Sequence, residues 1–565
     1  MARASRPCVV RPAKAPRPHE PHWHRPPGPS PLDPPSPCTP QTAWRGAGEG
    51  GRTTTAQAGA GAGLSSDARP ALLGIDLGTT AVKAGVFDAE SGRMLGVARA
   101  EYSPASPRAG WMELAAGEYW RATVEAVREA HEAAGRPEVA AIGLSSQGQT
   151  FLPLDCDREP LRPAIVWLDT RAEAEARRLN EILDADELRA RRGAAEINAV
   201  DSAPKILWLR ENEPDVWAQT RHLVMLPDFI GERLTGEFRL DVSNAGSTAM
   251  VDRTASRDGG AGDWWPAALD AVGVPREMLS PLGGAGEPIG AFTDGAASEL
   301  GLTAGATVAL GCNDQIAGAV GAGNVEPGIA SGTAGTAMAI VATTDATERP
   351  LEGVLHGAHA VPGLRYLLTY AKTSGVLLTW LRDLLASADY EELLMEAREA
   401  PVGCDGLVCL PHFSGTATPS FRSDVRGGFV GLTLAHGRPA VARAVVEAVC
   451  FCARDALELA RRSGQPVEEL RMLGGAAQSD WWMQTMADVT RTPLAVPACP
   501  DAAVLGAAIF GGVGAGLLSS IDEAARAFYR ADRRYDPNRA VAADYDAAYA
   551  AYRDAMERVY PGALG

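Results

Sequence analysis

The sequence predicts an α/β protein built from two related halves, and three observations support this prediction. From Ala71 onward, apolar runs of strand length alternate with stretches of helical periodicity. Two similar openings, each a strand, a Gly-Thr turn and a second strand, begin at Ala71 and Gly328, about 255 residues apart. The chain of 565 residues is long enough for two or three domains with full cores.

Composition excludes several classes of protein. The chain has 53 basic against 70 acidic side chains, a net charge of −17, and an ordinary 46% of hydrophobic residues. An acidic surface repels phosphate backbones, so we do not expect nucleic acid as a partner. The nine cysteines include no C-x-x-C pair, which argues against a zinc site and a disulfide framework. We therefore expect a cytoplasmic location.

Two segments need separate interpretation. Residues 1–70 hold 14 of the 40 prolines and no apolar run of signal-peptide length, which predicts a disordered extension or a start codon assigned too far upstream. Residues 502–521 form an uncharged run of membrane-spanning length. This run contains five glycines and lacks flanking Lys or Arg anchors, so we expect a helix packed inside the protein and no membrane partner.

The elements follow in order. The first opening predicts a hairpin of strands 71–76 and 81–88, followed by a helix at 119–134 and a buried strand at 139–145. The second opening predicts strands 328–331 and 336–343 around a turn at 332–335. A long helix is predicted at 441–461, and a last helix is predicted to dock on the core through Tyr545, Tyr549, Tyr552 and Met556. The predicted domains are 71–325 and 326–535, with the last helix in 536–565.

The first turn carries residues suited to an anion. Gly78, Thr79 and Thr80 offer backbone N–H groups and hydroxyls, and glycine permits a close approach to the backbone. Asp76 on the preceding strand could hold a hydrated Mg²⁺, and the ammonium of Lys83 could neutralise phosphate charge. An ordinary glycine hairpin explains the turn equally well when it is considered alone.

The second opening repeats this chemistry, which makes coincidence a weaker explanation. Gly332 and Thr333 stand where the first opening has its glycine and threonine. Further along, the run LGGAAQS has no side chain at Gly475, so a flat base or sugar could lie against the backbone there. Ser479 could cap the following helix, and a plain strand-to-helix turn is the stronger interpretation of this run without context.

Asp314 is the candidate catalytic acid. It follows an apolar strand and precedes a helix rich in small residues, a position where an aspartate is more often a helix cap. It also lies only 18 residues before Gly332 of the second opening. A carboxylate near a transferable phosphate is what a sugar kinase needs to accept the proton of an attacking hydroxyl.

Taken together, these motifs resemble the FGGY family of carbohydrate kinases. The two turns, GCNDQ, LGGAAQS and AAVLGAA occur in the family's order, and two longer segments fit its signatures. The first segment, 201–212, matches around Lys205 and Trp208, with Val200 at its opening position, and the second is 427–447 with Ala440 at a usually polar position. The resemblance implies two ribonuclease-H-like domains of the actin and hexokinase superfamily, with a nucleotide cleft between them.

The resemblance also implies cofactors and site residues. ATP with Mg²⁺ would occupy the cleft, Asp314 would be the general base, and Asp76 would be the metal ligand. The implied nucleotide-binding residues are Asp76, Gly78, Thr79, Thr80, Lys83, Gly332, Thr333, Gly375, Gly475 and Ser479. The implied substrate-binding residues are Gln147, Gln149, Asp169, Asp314 and Gln315.

The substrate is less constrained than the reaction. Xylulokinases typically carry Gln-Met-His-Gly in the substrate loop and glycerol kinases Gln-Arg-Glu, whereas this chain has Gln147-Gly148-Gln149. The remaining motifs look closer to xylulokinases, so we expect phosphorylation of a ketose, with D-xylulose or a related pentulose first. Three alternatives stay open, namely a glycerol kinase, a kinase of another polyol or hexulose, and a non-catalytic nucleotide sensor on the same fold. The expected partners are a small-molecule sugar and ATP, and a homodimer is left open.

Overall fold

The computed structural model describes residues 70–253, 262–345, 354–387 and 389–564. The disordered extension predicted for residues 1–70 lies outside these ranges, apart from Pro70. Within the described ranges, no helix combines the length and the apolar character needed to cross a membrane.

The first half of the chain contains strands β1 to β14 and helices α1 to α10. In chain order these are β1 Ala71–Leu77, β2 Ala81–Asp88, β3 Met94–Glu101, β4 Glu113–Leu114, α1 Ala116–Ala133, β5 Val139–Ser146, β6 Phe151–Leu154, β7 Ala164–Ile165, α2 Glu173–Ile182, α3 Ala185–Arg192, α4 Ser202–Asn212, α5 Pro214–Gln219, β8 His222–Met225, α6 Leu226–Thr235, β9 Leu240–Asp241, α7 Val242–Gly246, β10 Val251–Asp252, β11 Asp263–Trp264, α8 Pro266–Val272, β12 Leu282–Gly283, β13 Pro288–Ala291, α9 Asp294–Leu300, β14 Thr307–Asn313 and α10 Asp314–Gly321.

The second half contains strands β15 to β23 and helices α11 to α17. In chain order these are β15 Gly328–Ala334, β16 Met338–Thr344, β17 Leu355–Ala358, β18 Arg365–Ala371, α11 Gly375–Leu385, α12 Tyr390–Glu399, β19 Val408–Leu410, β20 Gly428–Val430, α13 Arg438–Arg462, β21 Val467–Leu473, α14 Asp480–Thr490, β22 Leu494–Pro497, α15 Ala502–Gly514, α16 Ile521–Phe528, β23 Ala531–Tyr535 and α17 Ala542–Val559.

Each half is organised around one large sheet, and the two sheets share a topology. The first sheet has the order β13-β14-β5-β1-β2-β3 and the second the order β17-β18-β16-β15-β21-β22-β23. In both, a three-stranded antiparallel meander is extended on one side by two parallel strands, β5 and β14 in the first sheet and β21 and β22 in the second. This repeated arrangement confirms the predicted pair of ribonuclease-H-like domains.

Helix α15 joins the two halves. The uncharged run predicted as a packed helix forms α15, but the helix ends at Gly514 and a separate helix, α16, begins at Ile521. In sequence, α15 lies between strands β22 and β23 of the second sheet, yet it packs directly on the first sheet. A Cβ atom at Gly74 or Gly143 of that sheet would lie 1.9 Å from a carbonyl oxygen of α15. Glycine is therefore required there for the helix to approach the strands.

The predicted hairpins are found, with one change of register. Strands β1 and β2 pair antiparallel around residues 78–80, as predicted. In the second opening the predicted turn at 332–335 is wrong, because β15 continues through Ala334 and the turn lies at 335–337. Gly332 and Thr333 pair with Ile340 and Ala339, so they are strand residues, and the ladder continues to the pair of Ala334 with Met338.

The last helix packs against the second half. Tyr545, Tyr549, Tyr552 and Met556 of α17 are all buried. The ring of Tyr552 stacks on Phe451 of α13, with ring centroids 5.4 Å apart. The four apolar positions at helical spacing therefore form a face that packs on the core of the second half.

Candidate active site

Three neighbouring parallel strands bring the candidate catalytic residues to one edge of the first sheet. Asp76 near the end of β1 pairs with Ser145 of β5, and Ser145 pairs with Cys312 of β14. The Ser145 hydroxyl donates to Asp76 Oδ1 at 2.7 Å. Asp314 is the second residue after Cys312, so both carboxylates lie at the carboxyl ends of their strands. This is the edge where open α/β sheets bind ligands.

Asp314 does not cap helix α10, which leaves its carboxylate available. The cap is Asn313, whose Oδ1 accepts a hydrogen bond from the backbone N–H of Gln315 at 3.1 Å. Asp314 is the first residue of the helix and is half-buried. Burial first, and then the neighbouring charge of Asp76, raise the pKa of Asp314 to about 7. A carboxyl with this pKa can both accept and release a proton near neutral pH.

Asp76 forms the other half of an acidic pair. Burial raises its pKa, while the hydrogen bond from Ser145 and the charge of Lys83 lower it. Two half-buried carboxylates at one sheet edge offer the oxygen ligands that Mg²⁺ prefers, with phosphate oxygens and water completing the shell. Asp76 therefore fits a magnesium ion carried with a nucleotide, and the carboxylate of Asp314 beside it remains available to accept a proton. The described residues include no cluster of three or more His, Cys, Asp or Glu side chains arranged to hold a metal.

The first turn, residues 78–80, is held by hydrogen bonds from three other segments of the first half. The Gln147 carboxamide donates to the Gly78 carbonyl at 2.9 Å, and the Tyr102 hydroxyl donates to the same oxygen. The indole N–H of Trp167 donates to Thr79 Oγ1 at 2.8 Å. Thr80 is exposed at the tip. The turn is therefore fixed, before any ligand binds, by Gln147 of the loop 147–149, by Tyr102 after β3 and by Trp167, the first residue of the segment WLDTR at 167–171.

Lys83 connects the two halves beside this turn. Its ammonium lies 2.7 Å from Oδ1 of Asp501, the residue that precedes helix α15. Both side chains are partly exposed, so this ion pair contributes little to folding stability. It nevertheless fixes the amine next to the first turn.

A second cluster forms at the carboxyl ends of β15 and β21. The Gly375 N–H, at the start of α11, donates to the Gly335 carbonyl at 2.7 Å. A Cβ at Gly375 would lie 2.6 Å from that same oxygen, and one at Gly474 would lie 2.6 Å from the Ala334 carbonyl. Thr333 is half-exposed on β15. Gly375 and Gly474 therefore permit their backbone segments to approach the end of β15 closely.

Beside this cluster the surface is open. Gly475 is exposed, and nothing lies within 4 Å of the position that its Cβ would occupy. Ser479 caps α14, accepting from the Trp482 N–H at 3.3 Å, so the capping interpretation is confirmed. A flat group can lie against Gly475 without displacing a side chain.

Comparison with known proteins agrees with this geometry. Residues 71–321 match the N-terminal domain of the FGGY family of carbohydrate kinases, and residues 328–515 match its C-terminal domain. The chain belongs to the FGGY family. It is therefore a carbohydrate kinase, a phosphotransferase with the two-domain fold of the actin and hexokinase superfamily, and FGGY kinases use ATP.

Individual relatives differ in the substrate that their names state. A xylulose kinase from Bacillus subtilis is 27% identical over 86% of this chain and 96% of the relative. An autoinducer-2 kinase from Yersinia enterocolitica is 29% identical over 87% of this chain and 94% of the relative. The crystal structure of a xylulose kinase from Rhodospirillum rubrum superposes with a TM-score of 0.79 at 28% identity, covering 87% of this chain and 99% of that one.

The predicted substrate residues of this FGGY kinase have different surroundings. Gln147 is buried and holds the first turn, whereas the half-exposed Gln149 has its backbone fixed by Ser247 and Ser202. Asp169 is completely buried, and Arg171 occupies both of its carboxylate oxygens. Gln315 is half-buried beside Asp314, and its side chain hydrogen-bonds to that carboxylate. Gln149 and Gln315 are the residues of this set best placed to meet a substrate, and all these roles stay predictions.

Sequence reasoning missed several residues that support the site of this FGGY kinase. Trp167 lies two positions before Asp169 in the segment WLDTR. Its indole N–H is a hydrogen-bond donor that the sequence shows and that could have indicated a supporting role. Lys205 is completely buried and donates to the Val166 carbonyl at 3.3 Å, and burial lowers its pKa to about 7. Tyr102 and Asp501 carry no local signal, because long-range packing alone brings them to the first turn and to Lys83.

Proposed function

We propose that this FGGY kinase transfers the γ-phosphoryl group of ATP to a primary hydroxyl of a ketose, with D-xylulose or a related pentulose as the first candidate. The observation that carries the proposal is the state of Asp314. Its carboxylate is not used as a helix cap, it lies beside Asp76 at the sheet edge, and its pKa is near neutrality. A general base for a sugar hydroxyl needs this combination.

The site residues divide the reaction between them. Asp314 accepts the proton as the substrate oxygen attacks the γ-phosphorus in line, and the bond from that phosphorus to the β,γ-bridging oxygen breaks to release ADP. The first turn and Lys83 contact phosphates from the first half, while Thr333, Gly335 and Gly375 contact them from the second. Bound Mg²⁺, held through Asp76, supplies charge neutralisation to the phosphates. Gln149 and Gln315 hydrogen-bond to substrate hydroxyls and orient them.

A second candidate, a kinase of a different small polyol or hexulose, has a specific observation in its favour. The autoinducer-2 kinase is as similar to this chain as the xylulose kinases are. The substrate loop, with Gly148 and Gln149, also departs from the typical xylulokinase pattern. The assay must therefore compare substrates and not test one sugar alone.

The test is ADP release with Mg²⁺-ATP and a panel of ketopentoses, ketohexoses, linear polyols and glycerol. We expect one ketopentose to exceed the other compounds in kcat/KM. The Asp314→Ala variant should lose about 100- to 10,000-fold in kcat with that substrate. The matched control is Asp294→Ala, which removes the same charge from the first position of α9, an exposed helix start capped by Thr293.

Each result has a definite meaning. Near-normal turnover of folded Asp314→Ala would refute the general-base role. ATP binding without phosphorylation of any compound in the panel would refute the ketose kinase and favour the nucleotide sensor. A clear preference for glycerol or another polyol would replace the pentulose with the second candidate.

A further inference from the structure

Lys372 is a half-buried cation without a partner in the described part of the chain. It is one of only four lysines, in a chain with 49 arginines and an acidic net charge. Lys83 is paired with Asp501, and Lys205 donates to a backbone carbonyl. Lys372 makes no hydrogen bond or ion pair with any described residue. Burial lowers its pKa, and no neighbouring carboxylate offsets that effect.

The position of Lys372 is next to the second turn. It directly follows β18, whose last residue, Ala371, pairs with Met338 at the start of β16. Two residues further on, the Ser374 N–H donates to the Thr336 carbonyl at 2.9 Å, and the Gly375 N–H donates to the Gly335 carbonyl at 2.7 Å. The segment that carries Lys372 is thus bonded along the turn 335–337, which directly follows the strand end where the family resemblance places the phosphate-binding Gly332 and Thr333.

The pleat of β18 places Lys372 on the face directed at the first half. Ala371 packs in the core of the second half, whereas Leu368 packs with α15 in the cluster between the two sheets. Tyr370 lies on the same face as Leu368, and burial first and then Asp201 of the first half raise its pKa to about 12. Alternation along the strand puts Lys372 on the face of Tyr370 and Leu368.

The start of helix α11 gives a second, independent indication of an anion. Ser374 is the residue before this 11-residue helix, and its side chain makes no capping hydrogen bond. It is completely buried, and its hydroxyl has no partner in the described part of the protein. A buried hydroxyl without a hydrogen-bond partner is unfavourable unless a ligand supplies that partner. The helix N-terminus adds a partial positive charge at the same place.

We propose that Lys372, together with Ser374 at the N-terminus of α11, binds the β- and γ-phosphates of the nucleotide from the second half. The inference deepens the proposed kinase function and rests on it. Lys83 supplies the cation on the side of the first turn, and Lys372 supplies one on the opposite side. The triphosphate is then held between two amines that belong to different halves of the protein.

The test compares ligands that share the adenosine group and differ only in the number of phosphate groups. Dissociation constants of ATP, ADP and adenosine are measured by calorimetry for the wild type, Lys372→Met and Lys372→Arg. We expect Lys372→Met to weaken ATP binding about 10- to 100-fold and to change adenosine binding less than about twofold. Lys372→Arg should recover most of the ATP affinity. Arg93→Met, at an exposed site in the turn between β2 and β3, is the control for loss of one positive charge.

Chemical labelling gives a second measurement on the unmodified protein. The chain has so few lysines that each lies in its own peptide after digestion. An amine-acylating reagent should modify Lys372 in the free protein, and ATP, but not adenosine, should protect it. A neutral amine reacts faster than an ammonium, so the lowered pKa favours this labelling.

The outcomes separate the two proposals. Equal weakening of ATP and adenosine, unchanged ATP affinity, or an increase in KM for the sugar alone would each overturn the role of Lys372. Equal labelling of Lys372 with ATP and adenosine would do the same. If the wild type binds ATP but phosphorylates no sugar, the kinase proposal fails, while the binding comparison still decides the contribution of Lys372.

Discussion

We expect the pair of carboxylates at the sheet edge, Asp76 and Asp314, to set the pH dependence of catalysis. With a pKa of about 7, Asp314 is ionised to about one-tenth at pH 6 and nine-tenths at pH 8. If the ionised form is the base, kcat/KM should rise about tenfold across this interval. A carboxyl with the ordinary value of 3.8 would be ionised throughout, and kcat/KM would then be flat.

Two substitutions should move the midpoint of this pH profile, which reports the pKa of Asp314, in opposite directions. Asp76→Asn removes the like charge that raises the pKa of Asp314, so the midpoint should fall while staying above 3.8, because burial remains. Gln315→Leu removes a hydrogen bond that favours the carboxylate, so the midpoint should rise. Both variants will have lower activity, but the pH of the midpoint does not depend on the maximum value that kcat/KM reaches.

The assay measures kcat/KM for ATP at a fixed sugar concentration well below its KM, from pH 5.5 to 9 and at constant ionic strength. This parameter reports ionisation of the enzyme before Mg²⁺-ATP binds, so the midpoint belongs to the coupled, metal-free pair of Asp76 and Asp314. A flat profile, or an upward shift in Asp76→Asn, would refute the reasoning.

Thermal unfolding tests the same pKa without catalysis. Between pH 4 and 7 the folded protein keeps the proton on Asp314 while the unfolded chain loses it, so unfolding becomes easier as the pH rises. Asp314→Asn removes this titration. Its Tm should therefore exceed that of the wild type by an amount that grows from pH 4 to 7 and is constant above. A difference that does not vary with pH would contradict the raised pKa.

Two further predictions concern the support of the site. Trp167→Phe and Thr79→Val each remove the hydrogen bond between these side chains and should raise KM for ATP about 3- to 10-fold. The KM of the double variant should be no higher than that of the worse single variant. Additive increases in KM would show that the bond does not couple the two residues. Gly143→Ala would place a Cβ 1.9 Å from the Ala507 carbonyl of α15 and should lower the unfolding free energy by about 3 kcal/mol or more. The control is Gly117→Ala in the first turn of α1, where nothing lies within 4 Å, and it should stabilise the protein by up to about 1 kcal/mol. Equal effects of the two variants in denaturant titrations would contradict the close approach of α15.

The fold could be predicted because its strongest signals are local. The hairpin of β1 and β2 follows from two apolar runs around a glycine turn, and α17 follows from four apolar positions at helical spacing. The second turn was misplaced because Gly332 has the character of a turn residue. Its hydrogen atom in fact faces the Met472 side chain of the neighbouring strand, where a Cβ would lie 2.5 Å from the sulfur. That requirement comes from sheet packing, which a single strand cannot reveal.

The site could be located but not assembled from the sequence. Asp314 was identified from its order relative to the glycine turns, yet only the structure shows that Asn313 takes the capping role. Lys83 was predicted at the first turn, whereas its partner Asp501 is 418 residues away in the chain. No periodicity encodes such a distance, because it results from α15 crossing back onto the first sheet.

The proposed substrate loop, residues 147–149, has a shape that the sequence alone could not give. A Cβ at Gly148 would lie 3.0 Å from Ser247 Oγ and 3.2 Å from Asn313 Nδ2, so the loop backbone packs against the residue that follows α7 and against the end of β14. Where xylulokinases typically place a methionine, this chain has backbone alone. Gln149 adopts a left-handed conformation, with φ of 57°, directly after this contact. The packing of Gly148 and the backbone conformation of Gln149 are therefore linked, and we expect the two residues to act as one determinant when sugars are compared.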